Sequence, residues 1–223
     1  MEALTLILDP LRQIAQTGGP VVVVLMAVAV LTLAVAFYKT WQFWMAAVGR
    51  HADLSLAVSA WDCGDSATAR AALERSNSYL VPVMAMAMAA PADSVQRLQA
   101  EAETQFAKLE SGFRLLDSVA QLAPLLGLFG TVLGMIEAFQ SLQAAGAQVD
   151  PSILAGGIWV ALLTTAVGLV VAMPTAVILS WFEQRMEAER VFADTAILTV
   201  LHPGGGRTAV LPDAVSGMEP ANG

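Results

Sequence analysis

Residues 153–182 read ILAGGIWVALLTTAVGLVVAMPTAVILSWF, thirty positions without an ionisable side chain. A soluble helix of that length carries charge on the face it turns to water. This one carries none, and it exceeds the roughly 20 residues that cross the hydrocarbon core of a bilayer. Gly, Ala and Thr recur along it, the residues that let helices approach closely in lipid. A segment built this way faces other protein, and in an ion pathway it is expected to carry a charge. Its centre holds Val160, which has none.

Two more runs share this character. Residues 20–38 (PVVVVLMAVAVLTLAVAFY) and 118–136 (SVAQLAPLLGLFGTVLGMI) are uncharged, and the helix of the second is expected to continue to Leu142. The chain as a whole is 57% hydrophobic and 13% charged, against roughly 45–50% and about 25% in soluble domains. The expected fold class is therefore an all-α integral membrane protein with three transmembrane helices. The first run is too long, and too well flanked on both sides, to be a signal peptide.

Lys and Arg set the expected orientation. Lys39, Arg50, Arg70, Arg75, Arg97, Lys108 and Arg114 lie between the first and second runs, and Arg185, Arg190 and Arg207 follow the third. The connector 143–152 has neither residue type. The positive-inside rule then places the amino terminus and the connector outside, and the loop and tail in the cytoplasm. The net charge of −8 leaves no basic stripe for nucleic acid. Cys63 is the one cysteine, so no internal disulfide is expected.

The expected layout is an outer amphipathic segment at 1–19, spans at 20–38, 115–142 and 153–182, a cytoplasmic helical loop at 39–114, a short outer connector at 143–152, a cytoplasmic helical extension at 183–201 and a disordered tail at 202–223. Trp41 and Trp44 read as an interfacial pair beyond the first span, with Lys39 snorkelling beside them. The loop reads as a helix hairpin broken at Asp62-Cys63-Gly64-Asp65. A helix capped by Asp93 is expected to run unbroken from 93 through Arg114 into the second span. The second and third spans thus extend into long cytoplasmic helices, which pack antiparallel.

Reactive chemistry is sparse. His51 and His202 are far apart, with no Cys, Asp or Glu at ligand spacing, so no metal site is expected. No phosphate-binding loop or nucleophile motif occurs, so neither an enzyme nor a bound cofactor is expected. Within the spans, Gly127, Gly130, Thr131 and Gly134 fall at i, i+3, i+4 and i+7, one narrow face of small residues. Ala161, Thr165, Gly168 and Ala172 do the same in the third span. These faces serve either close packing, with the hydroxyls bonded to their own helix carbonyls, or a narrow polar route for ions. Pro124 and Pro174 each free a carbonyl inside a span.

The strings LAPLLGLFGTVLGMIEAFQ at 122–140 and AGGIWVALLTTAVGLVVAMP at 155–174 resemble the two signature spans of the MotA/TolQ/ExbB proton-channel family, nearest its ExbB/TolQ branch. The resemblance implies an inner-membrane, ion-driven energy-coupling subunit that assembles as a homo-oligomer, five in the family's architecture. It also implies two partners: an ExbD/TolR-like single-span protein bearing the proton-carrying aspartate, and a TonB/TolA-like transducer that delivers work at the outer membrane. Thr131 and Thr165 match the family's pore-facing threonines, and Pro124 its proline.

Val160 departs from the pattern, because ExbB and TolQ typically have a glutamate there. Three readings follow. The channel conducts with the partner's aspartate alone, beside a path lined by Thr131, Thr164 and Thr165. Alternatively, conduction is lost and the chain is a scaffold, or the ion differs. Glu137 is the acidic side chain at membrane depth, either an interfacial carboxylate or an outer-mouth residue that attracts cations. Gly127, Gly130, Gly134, Ala161, Gly168, Pro124 and Pro174 are the expected packing or partner face.

Overall fold

The computed structural model describes residues 19–144 and 151–204. The expected amphipathic segment, most of the outer connector and most of the tail lie outside them. Among the described residues the chain is helical: α1 (Gly19–Met45), α2 (Ala52–Asp62), α3 (Ser66–Arg75), α4 (Val81–Ala89), a 3-10 turn (Ala92–Ser94), α5 (Val95–Glu110), α6 (Phe113–Ala144) and α7 (Pro151–Leu201). Helices α1, α6 and α7 are long and apolar enough to cross a membrane. The described residues divide into two units, one within 19–43 and 110–186, the other within 44–109 and 187–204.

The first unit is built from the three long helices. Leu25, Val119, Ala123 and Ala172 form a buried cluster, with Val21, Val28, Leu126, Val167 and Val171 packed on it. Phe43, Phe113 and Phe182 close a second cluster: Phe43 meets Phe182 edge-on at 5.0 Å between centroids, and Phe113 stacks on Phe182 at 5.6 Å. Such pairs add about 0.5–1.5 kcal/mol each beyond their buried area. The outward faces stay apolar, as for Phe37, Leu125 and Val177. Lipid accounts for this where water would not.

Two expectations are corrected in this unit. Lys39 does not snorkel. It is 2% exposed and donates to Gln42 Oε1 at 2.7 Å and Ser111 Oγ at 3.1 Å. Polar partners on its own helix and in the break just before α6 replace the water it would otherwise seek. Nor does the helix run unbroken through Arg114. It stops at Glu110 and restarts at Phe113, because Gly112 takes φ +95°. That region suits glycine alone among common residues, and a Cβ there would lie 3.3 Å from Lys39 Cε.

The second unit packs the loop helices with the C-terminal part of α7. The α2–α3 hairpin turns at Gly64, with φ +84°. Asp65 caps α3 by accepting from the Thr68 backbone N–H at 3.0 Å, as an N-cap carboxylate does. The Thr68 side chain, and then the Thr68 and Ala67 backbone, hold its carboxyl below the ordinary value. α5 starts at Val95, led in by the 3-10 turn, in which Ser94 N–H donates to Pro91 O. Asp93 lies inside that turn and the helix begins one residue later than an Asp93 cap would place it.

α5 and α7 are antiparallel in this unit: Arg190 pairs with Glu103 at 3.1 Å, and Gln99 donates to Asp194 at 3.0 Å. Trp61 Nε1 donates to Val200 O at 3.0 Å. At the unit's interior, Glu189 is 1% exposed. Its two oxygens meet His51 Nε2 at 3.0 Å and the Tyr79 hydroxyl at 2.6 Å.

Candidate ion-pathway and helix-packing site

The small-residue faces of α6 and α7 lie against each other in the first unit. A Cβ added at Gly127 would come 3.0 Å from Thr164 O, at Gly130 2.7 Å from Thr164 Oγ1, and at Gly134 3.2 Å from Ala161 Cβ. On the other helix, a Cβ at Gly168 would come 2.6 Å from Ala123 O. Ala138 fills the space beside Gly157. Glycine at i, i+3 and i+7 removes every side chain from one stripe, so two backbones meet where methyl groups would otherwise hold them apart.

Hydroxyls tie this seam. Thr164, 2% exposed, donates to Ala161 O at 2.7 Å and lies 3.3 Å from Gly127 O. Thr165 donates to the same Gly127 carbonyl at 3.2 Å. A hydroxyl has one proton, and Thr164 gives its own to Ala161 O, so Thr165 is the side-chain donor at Gly127 O. Ala161, Gly127 and Gly134 are buried within the seam, and Pro124 is half-buried on α6.

Thr131 stands beside the seam, not in it. It is half-buried and its hydroxyl bonds back to Leu128 O at 2.6 Å. It begins a row with Met135, Phe139 and Gln143 that lines a groove along α6. The row is polar at both ends and apolar between them. Val160 is half-buried one turn before Thr164 and brings no polar atom to the seam. Glu137 is exposed, seven residues before the last residue of α6, roughly 10 Å along the axis at 1.5 Å per residue. Pro174 lies within α7 and is exposed.

The structure thus brings Gly127, Gly130, Gly134, Ala161, Thr164, Thr165 and Gly168 together, and leaves Thr131, Glu137 and Pro174 apart from them. Among the described residues, four buried polar groups escape the sequence reading: Thr32 and Thr175, which bond to the Val28 and Val171 carbonyls at 2.8 and 2.7 Å, Ser78 and Glu189. The threonines carry no signal beyond lying in spans. Glu189 carries one, because it interrupts an apolar stripe on α7. No group of three His, Cys, Asp or Glu side chains among the described residues could hold a metal ion.

Residues 63–193, more than half of the chain, match the model of the MotA/TolQ/ExbB proton channel family. The chain is 48% identical over 67 residues to the biopolymer transport protein exbB1 of Vibrio cholerae, covering 30% of this chain and 29% of that one. It is 31% identical over 163 residues to the biopolymer transport protein ExbB-like 1 of Synechocystis sp., covering 70% of this chain and 64% of that one. The Tol-Pal system protein TolQ of Pseudomonas aeruginosa is 39% identical over 80 residues, covering 36% and 34%. The matches span less than two thirds of these relatives' own lengths.

Proposed function

The chain belongs to the MotA/TolQ/ExbB proton channel family, and on that footing we propose that it is a wall-forming subunit of an ion-driven energy-coupling complex in the bacterial inner membrane. The family is one of proton channels and energy-coupled transport, not a class of enzymes, and this member crosses the membrane more than once. In our reading the amino terminus is periplasmic and the carboxyl terminus cytoplasmic. Copies of the chain form a ring, a pentamer by family resemblance. The ring encloses a single-span ExbD/TolR-like partner, and a TonB/TolA-like protein carries the work to the outer membrane.

One observation carries the division of labour: Val160 occupies the position where a carboxylate is expected, and the seam around it holds hydroxyls already bonded to carbonyls. A threonine hydroxyl can hand on a proton or order water, but it cannot hold the charge of a migrating proton. The titrating group therefore belongs to the partner, as an aspartate in its span. Thr131 and Thr165 contribute the polar wall, with Val160 as its apolar segment. Thr164 holds the seam, and Glu137 draws cations to the outer mouth.

A second reading rests on the same hydrogen bonds. Because Thr164 and Thr165 are already engaged at Ala161 O and Gly127 O, the chain could act as a non-conducting scaffold for a partner helix; use of another ion is the remaining variant. Proton flux into vesicles holding this chain and its single-span partner separates them. Flux through the unaltered pair is the expected result. No flux from that pair, with flux restored by Val160→Glu, overturns the proposal in favour of the scaffold. Sodium-dependent flux in its place identifies a different ion.

A further inference from the structure

In the second unit, α7 presents Ala193, Ala196, Ile197 and Val200 to the interior, each 3% exposed or less. Glu189 stands in line with them at 1% exposed. A stripe of aliphatic residues repeating every three or four positions holds a helix against its neighbours but specifies its axial position weakly. Advancing α7 by one turn would set Ala193 in the place of Glu189, Ile197 in that of Ala193, Val200 in that of Ala196 and Leu201 in that of Ile197. Each of those four positions would still hold an apolar residue, and only the place of Val200, near the helix end, would pass to Gly204.

Glu189 breaks that degeneracy. Its carboxylate has an acceptor pair and no donor, and each oxygen meets a donor from a different part of the chain: His51 ahead of α2 and Tyr79 ahead of α4. The His51 ring stacks on Phe192 at 4.0 Å and 17°, which fixes its plane. His51 Nδ1 is buried without a hydrogen-bond partner, so the proton sits to best effect on Nε2, facing Glu189. A one-turn advance strips the carboxylate of both donors and leaves His51 and Tyr79 facing Ala193. A buried charge without partners is costly.

We propose that Glu189, held by His51 and Tyr79, sets the axial register of the C-terminal part of α7 against the loop helices. A buried polar residue in an apolar seam has this effect in coiled coils. The cluster selects one packing over its neighbours, whereas the aliphatic stripe supplies most of the cohesion.

The test uses the full chain in membranes with Cys63→Ser, and a short bifunctional thiol reagent. Gln99→Cys with Asp194→Cys reports the present register, since those side chains meet at 3.0 Å. Gln99→Cys with Leu198→Cys reports the advanced one. With Glu189 in place, only the 99–194 pair links. Combining His51→Phe, Tyr79→Phe and Glu189→Met removes the cluster's polar atoms at nearly constant volume. The ratio of 198-linked to 194-linked product is then expected to rise roughly tenfold or more, in a chain that remains folded by circular dichroism. Persistence of the 99–194 link alone overturns the proposal, because apolar packing then sets the register. Failure of the triple variant to fold overturns it too, because the cluster would then supply stability and not choice of register.

Discussion

Gly130 and Gly168 are equivalent in the sequence pattern, but an added methyl group meets different matter at each. At Gly130 it would press on the Thr164 side chain, 2.7 Å from Oγ1 and 2.8 Å from Cβ; at Gly168 it would press on the backbone, 2.6 Å from Ala123 O. Overpacking of this kind costs about 1–3 kcal/mol. Gly130→Ala should therefore be largely relieved by Thr164→Gly, which removes the obstructing atoms, whereas no side-chain change relieves Gly168→Ala. A double-mutant cycle on unfolding in detergent measures this. A coupling energy near zero between positions 130 and 164 contradicts the seam as described. Thr165→Val offers a milder check. It removes the hydroxyl that donates to Gly127 O, and an expected loss of about 0.5–1.5 kcal/mol matches a single hydrogen bond.

Among the elements, the break between α5 and α6 and the cap of α3 are the informative joints. Gly112→Ala forces an L-residue into φ +95°, which costs about 1–2 kcal/mol. The thermal midpoint should fall accordingly, and an unchanged midpoint would mean that α5 and α6 join as one helix. Asp65 gives a pH dependence whose sign is fixed. Its folded carboxyl lies below the ordinary value through its bonds at Thr68, so its contribution is complete above the unfolded carboxylate value. That contribution is lost as pH falls through the folded one. Protection of the amides in the first turn of α3 against exchange, taken relative to the intrinsic rate at each pH, should fall on acidification, and Asp65→Ala should remove that dependence.

The long helices were legible because an uncharged run longer than a bilayer is thick has few alternative structures. The α6–α7 seam was legible because its glycines keep helical spacing. α4 was not. Its sequence VPVMAMAMA has apolar residues on every side and opens on β-branched residues and proline, so neither periodicity nor composition marks it. The buried partners of Lys39 and Glu189 were illegible for another reason. Whether a charge reaches water or a buried partner depends on contacts 72 and 138 residues away along the chain, which no local pattern contains.

For the molecule as a whole, surface and interior divide unevenly. Phe37, Leu125, Leu162, Val170 and Val177 expose more than half their area on the three long helices. In the first unit, Thr32, Thr131, Thr164, Thr165 and Thr175 spend their hydroxyls on backbone carbonyls. A single copy therefore offers an apolar exterior to lipid and neighbours, with a seam too tight for water where Gly127 and Gly168 meet α7 and α6. A bare proton crossing such a medium faces a large desolvation cost unless a titratable group accepts it. In the wall-forming role proposed above, conduction is a property of the assembly, and this chain reconstituted alone should leave a vesicle's pH gradient intact. Adding the single-span partner should collapse the gradient, and replacing the aspartate in that partner's span with asparagine should restore it. With Glu137 acting only on access, as proposed, Glu137→Gln should lower flux severalfold at low ionic strength and little at high salt, since a Debye length shortens from about 30 Å at 0.01 M to about 3 Å at 1 M. Flux through the chain alone would place a proton carrier on this subunit, and the wall-forming role would fall with it.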